Sequence, residues 1–365
     1  MILHWYFARR FIFSLALVTG ALGAFMSLVE VVELTRKFRS SDVELVQILQ
    51  IALLNFPVGI NEILPLIVII ATIYLFVQLA RSNELVVTRS SGRSGLQALL
   101  APLLVATLVG IIAVTTLNPI ASVTSARAER LTDLYLDGDV SVFSLSAEGL
   151  WMRQGSVDRQ TVIHATNYLA ETEIYQNLTF LTYDEDGRAA RRINADSAKL
   201  VEGAWSLTNA KIWDLDRTAN PENTAREYAT LELPSTLTAA RIQETLGNPK
   251  AISIWNLNQT ITRLDAAGFS TSRHRIWLQS ELSRPLFLMA MVLLSAAFTM
   301  RHTRFGGVGR AIVFSILLGF GLHFIRNFAF ILGENGQLPA LIAAWIPSIA
   351  ATLLALGFLL HTEDG

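Results

Sequence analysis

The stretch RSNELVVTRSSGRSG, residues Arg81 to Gly95, lies between two long apolar runs. It carries one acid, three arginines and the apolar triplet Leu85-Val86-Val87. If the flanking runs cross a membrane, this is a short loop pinned at the surface, and its charges call for a reader.

The composition favours that reading. Charged residues make up 16% and apolar residues 52% of the 365 positions, against a globular norm of about 25% charged. Mean hydropathy is +0.43, and the apolar residues come in blocks, which implies an α-helical polytopic membrane protein. A bilayer core of about 30 Å takes about 20 apolar residues in a helix. Six segments meet that length: about 11–32, 57–80, 96–117, 277–300, 311–332 and 338–360. Arg9 and Arg10 precede the first as in a secretion signal. Its apolar run is too long for one and ends without a clear cleavage site, so it reads as a retained helix. A net charge of −1 gives no argument for nucleic acid. The lack of cysteine removes disulfides, thiolate metal sites and cysteine nucleophiles.

Orientation follows the lysine and arginine bias of the short loops. With the N-terminus inside, the cytoplasmic ends hold Arg9, Arg10, Arg81, Arg89, Arg93, Arg301, Arg304 and Arg310. The opposite short loops hold only Arg36, Lys37 and Arg39. Both termini are then cytoplasmic and the long polar interval is exterior, the periplasm in a Gram-negative cell. The chain divides into spans one to three (1–121), an exterior domain (122–272) and spans four to six (273–365).

The exterior domain reads as strands. SVFSLS, GLWMRQ, TVIHATNYL, YQNLTFLTYD, AWSLTNAKIWDL and REYATLELP are β-rich, several with period-two alternation. Turn signals stand at Asp184 to Gly187 and at Glu202-Gly203. The spacing predicts an inserted all-β sandwich or jellyroll, with Trp151 and Trp205 as core aromatics. A helix over about 254–267 should end at Gly268 and lead back into the membrane.

Several residues carry candidate chemistry. Gly92-Arg93-Ser94-Gly95 matches a pattern of intramembrane serine proteases, with His323 in a later span. A serine nucleophile needs its base within hydrogen-bond reach, and the topology puts Ser94 and His323 at different depths. There is no H-E-x-x-H, Walker A or G-x-G-x-x-G pattern on a suitable element, so the chain is no ATPase itself and binds no cofactor of its own. His323 and Arg326 are i, i+3 neighbours in span five; such groups either serve function or, for Arg326, snorkel to the interface. Asn61 and Glu62 read as interfacial. Arg36, Lys37 and Arg39, joined by Arg127 and Arg130, suit an anionic or phosphorylated lipid, or form an ordinary solvated rim. In the opening stretch, Ser82 or Asn83 can cap a short helix over about 82–92, with Glu84 in its first turn and Gly92 at its end. That helix either docks into a soluble partner through Glu84, Leu85, Val86 and Arg89, or lies in lipid.

The run S-N-E-L-V-V-T-R-S-S-G after the second span resembles the coupling helix of the lipopolysaccharide-export permeases, the LptF/LptG family. So does the order of three helices, a β domain and three helices. Glu148-Gly149-Leu150-Trp151, residues 275–285 and Trp345-Ile346-Pro347-Ser348 add to the likeness. The G-L-W start of the β domain and its exit into span four favour the LptG-like branch. The resemblance implies a multi-pass inner-membrane permease paired with an LptF-like chain, an LptB-like ATPase dimer that uses the ATP, and a single-span LptC-like protein, with lipopolysaccharide as substrate. It puts the coupling glutamate on Glu84 and a basic rim on Arg36 and Lys37. Glu30 and Arg326 depart from the family pattern, an acid and a base standing where the opposite charges are expected. The rival reading is a membrane scaffold with a ligand-binding β domain and no ATPase.

Overall fold

The computed structural model describes residues 2–39, 43–90, 95–136, 144–146, 149–156, 159–169, 172–184, 188–215, 220–235, 237, 248–266, 268–300 and 308–363. Gly92, Arg93, Ser94, Glu148, Arg301, Arg304, the turn residues 185–187 and the start of SVFSLS lie outside them. Two compact units emerge. One comprises Met1–Glu129, Ser253–Trp255 and Ser272–Gly365, the other Arg130–Ile252 and Asn256–Thr271.

The first unit is helical. Helix α1 (Ile2–Lys37) is followed by α2 (Leu45–Arg81). A capping box starts α2: the Glu44 side chain accepts from the Gln47 backbone, and Gln47 Oε1 accepts from Glu44 N at 3.0 Å. The helix runs on through Pro57 and Pro65, so the second span begins earlier than its apolar run suggests. It ends where the Ser82 hydroxyl donates back to the carbonyls of Gln78 and Leu79. Asn83 then takes a left-handed φ of 59°, a conformation that asparagine tolerates better than most residues. Ser82 therefore closes α2 rather than opening the short helix α3 (Glu84–Ser90).

Helix α4 (Gly95–Ile112), a π-turn over Ala113–Leu117 and helix α5 (Asn118–Leu136) run on without a break. At the π-turn the Thr115 carbonyl accepts from Trp255 Nε1 at 3.2 Å. The Asn118 side chain accepts from Ile254 N at 3.0 Å, at the start of α6 (Ile254–Ala266). Helices α7 (Ser272–Leu282) and α8 (Arg284–Thr299) are bent by 49° about Ser283. Helices α9 (Val308–Glu334) and α10 (Ala340–Glu363) complete the unit. Among the described residues, five helices are long and apolar enough to span a membrane, and the bent pair α7–α8, taken as one span, makes the sixth expected.

Helix α8 is the hub. Phe287, Leu288, Met291, Val292 and Ala296 are fully buried, packed with Ile67, Val68 and Phe76 of α2 and with Phe7 and Phe11 of α1. Gly110 of α4 faces Pro285 so closely that a Cβ there would come within 2.6 Å of the Pro285 Cα. By contrast, α9 exposes Phe314, Leu317, Phe320, Phe324 and Phe328, an apolar face suited to lipid or to another membrane chain.

The described residues of the second unit form seven antiparallel strands, β1 (Ser144–Ser146), β2 (Gly149–Ser156), β3 (Arg159–Leu169), β4 (Ile174–Tyr183), β5 (Ala189–Val201), β6 (Ala204–Asp214) and β7 (Arg226–Pro234). They pair strictly in chain order. The inserted all-β domain is thus present as an up-and-down meander, its connections all between consecutive strands. Leu150, Met152, Ile163, Leu178, Phe180, Ile193, Trp205 and Leu207 line its buried face, closed by Leu237, Leu264 of α6 and Phe269. Helix α6 ends as expected: Gly268 has φ +82°, and Phe269 N reaches the Leu264 carbonyl at 2.9 Å. Leu264 and Phe269 then meet in the core, as in a Schellman cap. Trp151 departs from expectation. At 38% exposure it lies against the His164 ring on the outer face, because its neighbours Leu150 and Met152 take the inward positions.

The alternation of buried residues breaks along one line across the sheet. Tyr175 and Leu178 are both buried on β4, as are Ala195 and Ala198 on β5, and Leu207 and Ala210 on β6. Asn177 and Asn209 supply the extra residue with φ of 51° each, and Asn209 Nδ2 donates to Asp196 at 3.1 Å. Asn209→Val should cost about 1–3 kcal/mol, because a β-branched residue is strained there, while Asn209→Gly should be nearly neutral. Proteolytic resistance of the β unit in the full chain would check this; equal resistance of both variants would contradict it.

Candidate functional site

Three groups of candidate residues fall in different parts of the helical unit, except for Arg130, which belongs to the second unit. The first is the short helix after the second span. Glu84 opens α3, and both its carboxylate oxygens are held by α1. Tyr6 Oη donates to Oε2 at 2.8 Å and Arg10 Nη2 donates to Oε1 at 3.3 Å. The Arg10 guanidinium also lies 5.1 Å from the Tyr6 ring centre, since residues four apart share a helix face. Glu84 keeps 30% of its side chain exposed. Leu85, Val86 and Arg89 follow within α3; their side chains lie outside the described residues. Tyr6 carries no motif, and Arg10 figured in the sequence only as a topology charge.

The second group is basic and exposed. Arg36 and Lys37 form the last turn of α1, where cations complement the helix dipole. Arg39 follows in the turn, with Phe38 buried between them. Arg127 and Arg130 are exposed on α5, a turn apart. Glu30, one of the two departures from the family pattern, accepts from Asn55 Nδ2 of α2 at 2.7 Å. It is therefore matched within α1 and α2, not with Arg326.

The third group is buried at the bend between α7 and α8. Glu281 is fully buried and Arg284 is 6% exposed, and the two form an i, i+3 ion pair. Arg284 Nη1 also donates to the Asn61 carbonyl at 2.7 Å and to its side-chain oxygen at 2.8 Å. Asn61 is thus a buried partner on α2, not the interfacial residue that the sequence suggested, whereas Glu62 is exposed. Arg326 does not reach outward along α9. Its Nη2 donates to the carbonyl and hydroxyl of Ser280 at 3.0 and 2.8 Å, and its guanidinium lies 4.8 Å from the Phe287 ring centre. The His323 ring stands on the same aromatic, 6.4 Å away. The pair expected on one face of the fifth span does come together, but around α7 and α8. Glu281 and Arg284 were missed as site residues. The available signal was a Glu-x-x-Arg pair beside an apolar run, where charge is costly enough to need a partner.

Six apolar spans, one bent around a buried ion pair, with an antiparallel β domain inserted between the third and fourth, define a multi-pass membrane protein with an extramembrane module. The chain matches the family described as lipopolysaccharide export system permease LptF/LptG over residues 5–361, and it belongs to that family. It is similar to the lipopolysaccharide export system permease protein LptG of Escherichia coli strain K12, 22% identical over 314 residues, covering 85% of this chain and 84% of the relative. LptG of Escherichia coli O6:H1 (strain CFT073) matches at the same identity and coverage.

Proposed function

We propose that this chain is the LptG-type permease subunit of an ATP-driven transporter that takes lipopolysaccharide from the inner membrane and hands it toward the outer membrane. The observation that carries the reading is the family match over nearly the whole chain, with relatives that are named LptG. In this reading the partners are an LptF-like permease, an LptB-like ATPase dimer that hydrolyses the ATP, and an LptC-like single-span protein. The chain itself lies in the inner membrane with both termini cytoplasmic and the β domain (122–272) in the periplasm, an orientation supported by the arginine bias of its loops. Helix α3 docks the ATPase through Glu84, Leu85, Val86 and Arg89. The exposed Arg36, Lys37 and Arg39, with Arg127 and Arg130, face the phosphates of the lipid headgroup. His323 and Arg326 belong to the inner wall of the fifth span. A permease family argues against the rival scaffold.

The test is a purified complex of this chain with its partner permease and ATPase, assayed for ATP-dependent lipopolysaccharide release. Photocrosslinkers at positions 36 and 37 should capture lipopolysaccharide before ATP is added. Arg36→Ala/Lys37→Ala should weaken binding about tenfold, the scale of a charge-assisted contact partly screened by water, and more at low salt than at high. Capture by probes on α9 but none at 36 and 37 would leave those bases a solvated rim. A complex that releases no lipid with ATP would overturn the transport reading.

A further inference from the structure

A helix as short as α3, Glu84–Ser90, does not hold its own shape in water, because one or two turns do not repay helix nucleation. Something else must fix it. It joins α2 through the left-handed Asn83, whose N–H donates to the Ala80 carbonyl at 3.2 Å and whose carbonyl accepts from Val87 N at 3.2 Å. The tie across the fold is the Glu84 carboxylate, bound by Tyr6 and Arg10, 78 and 74 residues earlier in the chain. The Glu84 backbone carbonyl is taken by the Thr88 hydroxyl at 2.8 Å, inside α3 itself. The α1 end of the tie is firm, since Phe7 and Phe11 beside it are 1% and 0% exposed in the helical core.

A carboxylate offers about four lone-pair sites, and two of those on Glu84 are filled from within the chain. The side chain is still 30% exposed, so a cation on a docked protein can use the remainder without displacing Tyr6 or Arg10. One acid then joins three bodies: α3, α1 and the partner.

We infer that Tyr6 and Arg10 are positioning residues that fasten Glu84 to α1, so that α3 and the first helix move as one body when the partner ATPase engages α3. The inference rests on the permease reading given above, and it adds the route by which the partner's motion enters the membrane. Without the two contacts, α3 docks but turns against α1 instead of carrying it along. Docking and hydrolysis then continue while transport per ATP falls.

The complete complex in nanodiscs, comparing wild type with Tyr6→Phe, Arg10→Gln, the double variant and Arg10→Lys, tests this. The chain has no cysteine. With partner chains made free of cysteine, spin labels at Leu28→Cys on α1 and Leu53→Cys on α2, exposed at 68% and 74%, therefore report the separation of α1 from α2. In the double variant, ATPase recruitment and hydrolysis should stay within about twofold of wild type. Lipopolysaccharide released per ATP should fall about tenfold, the scale of a lost hydrogen bond to a charged group. The change in label distance on vanadate trapping should vanish, and Arg10→Lys should restore much of both. The inference is overturned if release per ATP and label displacement in the double variant equal wild type. It is also overturned if hydrolysis and release fall together with their ratio unchanged, which would make the contacts a fold staple only. A wild-type complex that recruits no ATPase or releases no lipid with ATP would instead sink the permease reading.

Discussion

Arg284→Leu should lower the stability of the helical unit by about 3–5 kcal/mol, the loss found when one partner of a buried ion pair is removed. Arg284 makes an ion pair with Glu281 and donates to both oxygens of Asn61, tying α8 to α7 and α2 at the bend. Leucine fills the space but takes away the cation that pairs with a fully buried carboxylate, and Arg326, held on the neighbouring Ser280, forms no ion pair with it among the described residues. The Glu281 Oε2 already lacks a hydrogen-bond partner among the described residues, so little is at hand to compensate. Glu281→Leu/Arg284→Leu should recover much of the loss, because a desolvated pair replaced by apolar groups of similar size is often neutral. The two changes are therefore strongly non-additive. Thermal unfolding of the purified chain in detergent measures this. A double variant as unstable as the sum of the singles would refute a paired origin.

Trp205→Ala should remove about 3–5 kcal/mol from the β unit. Trp205 is fully buried and stands edge-on to Tyr175 at 5.1 Å and to Phe180 at 5.9 Å, so truncation leaves a cavity under three strands. The Trp205 Nε1 has no hydrogen-bond partner among the described residues, so Trp205→Phe gives up packing alone and should cost less. Burial also holds the Tyr175 hydroxyl well above the ordinary tyrosine range, which marks how dry this region is. Trp151→Ala, on the outer face, should change stability by no more than about 0.5–1 kcal/mol. Limited proteolysis of the full-length chain checks the order; equal sensitivity of the Trp151 and Trp205 variants would contradict it.

Those two tryptophans show what the sequence could and could not say. Their strands were legible from β-rich alternating runs, but which phase faces inward depends on the sheet's curvature and on the helix that covers it. Local pattern records neither. The line of breaks at Asn177, Asp196 and Asn209 was hidden for the same reason: one extra residue per strand, each opposite the next with the register kept, looks like imperfect alternation until the strands are paired. The six spans were legible because length and apolarity are set by the bilayer itself. Even so, the second began 12 residues before its apolar run, carried by the capping box at Glu44. At the candidate site, Glu84 was legible from its setting between two spans. Tyr6 and Arg10 were not, because nothing local links a position near the N-terminus to one almost eighty residues on. Asn61 looked interfacial because the guanidinium that buries it arrives 223 residues later.

The bend at Ser283 bears on how the chain is made. Helices α7 and α8, of 11 and 16 residues, are each too short to cross a membrane, and the fourth crossing exists only as the two together. An arginine or an acid near the middle of a nascent span costs about 2.5–3.5 kcal/mol at the insertion machinery. In chain order, though, Asn61 leaves the ribosome long before Arg284 and Glu281, and Arg326 comes last, to a Ser280 already in place. Each acceptor on another helix thus precedes its cation. The fourth crossing inherits a wall of α2 against which its charges are at once paired, and biosynthesis from the N-terminus becomes part of what makes a polar, broken span admissible.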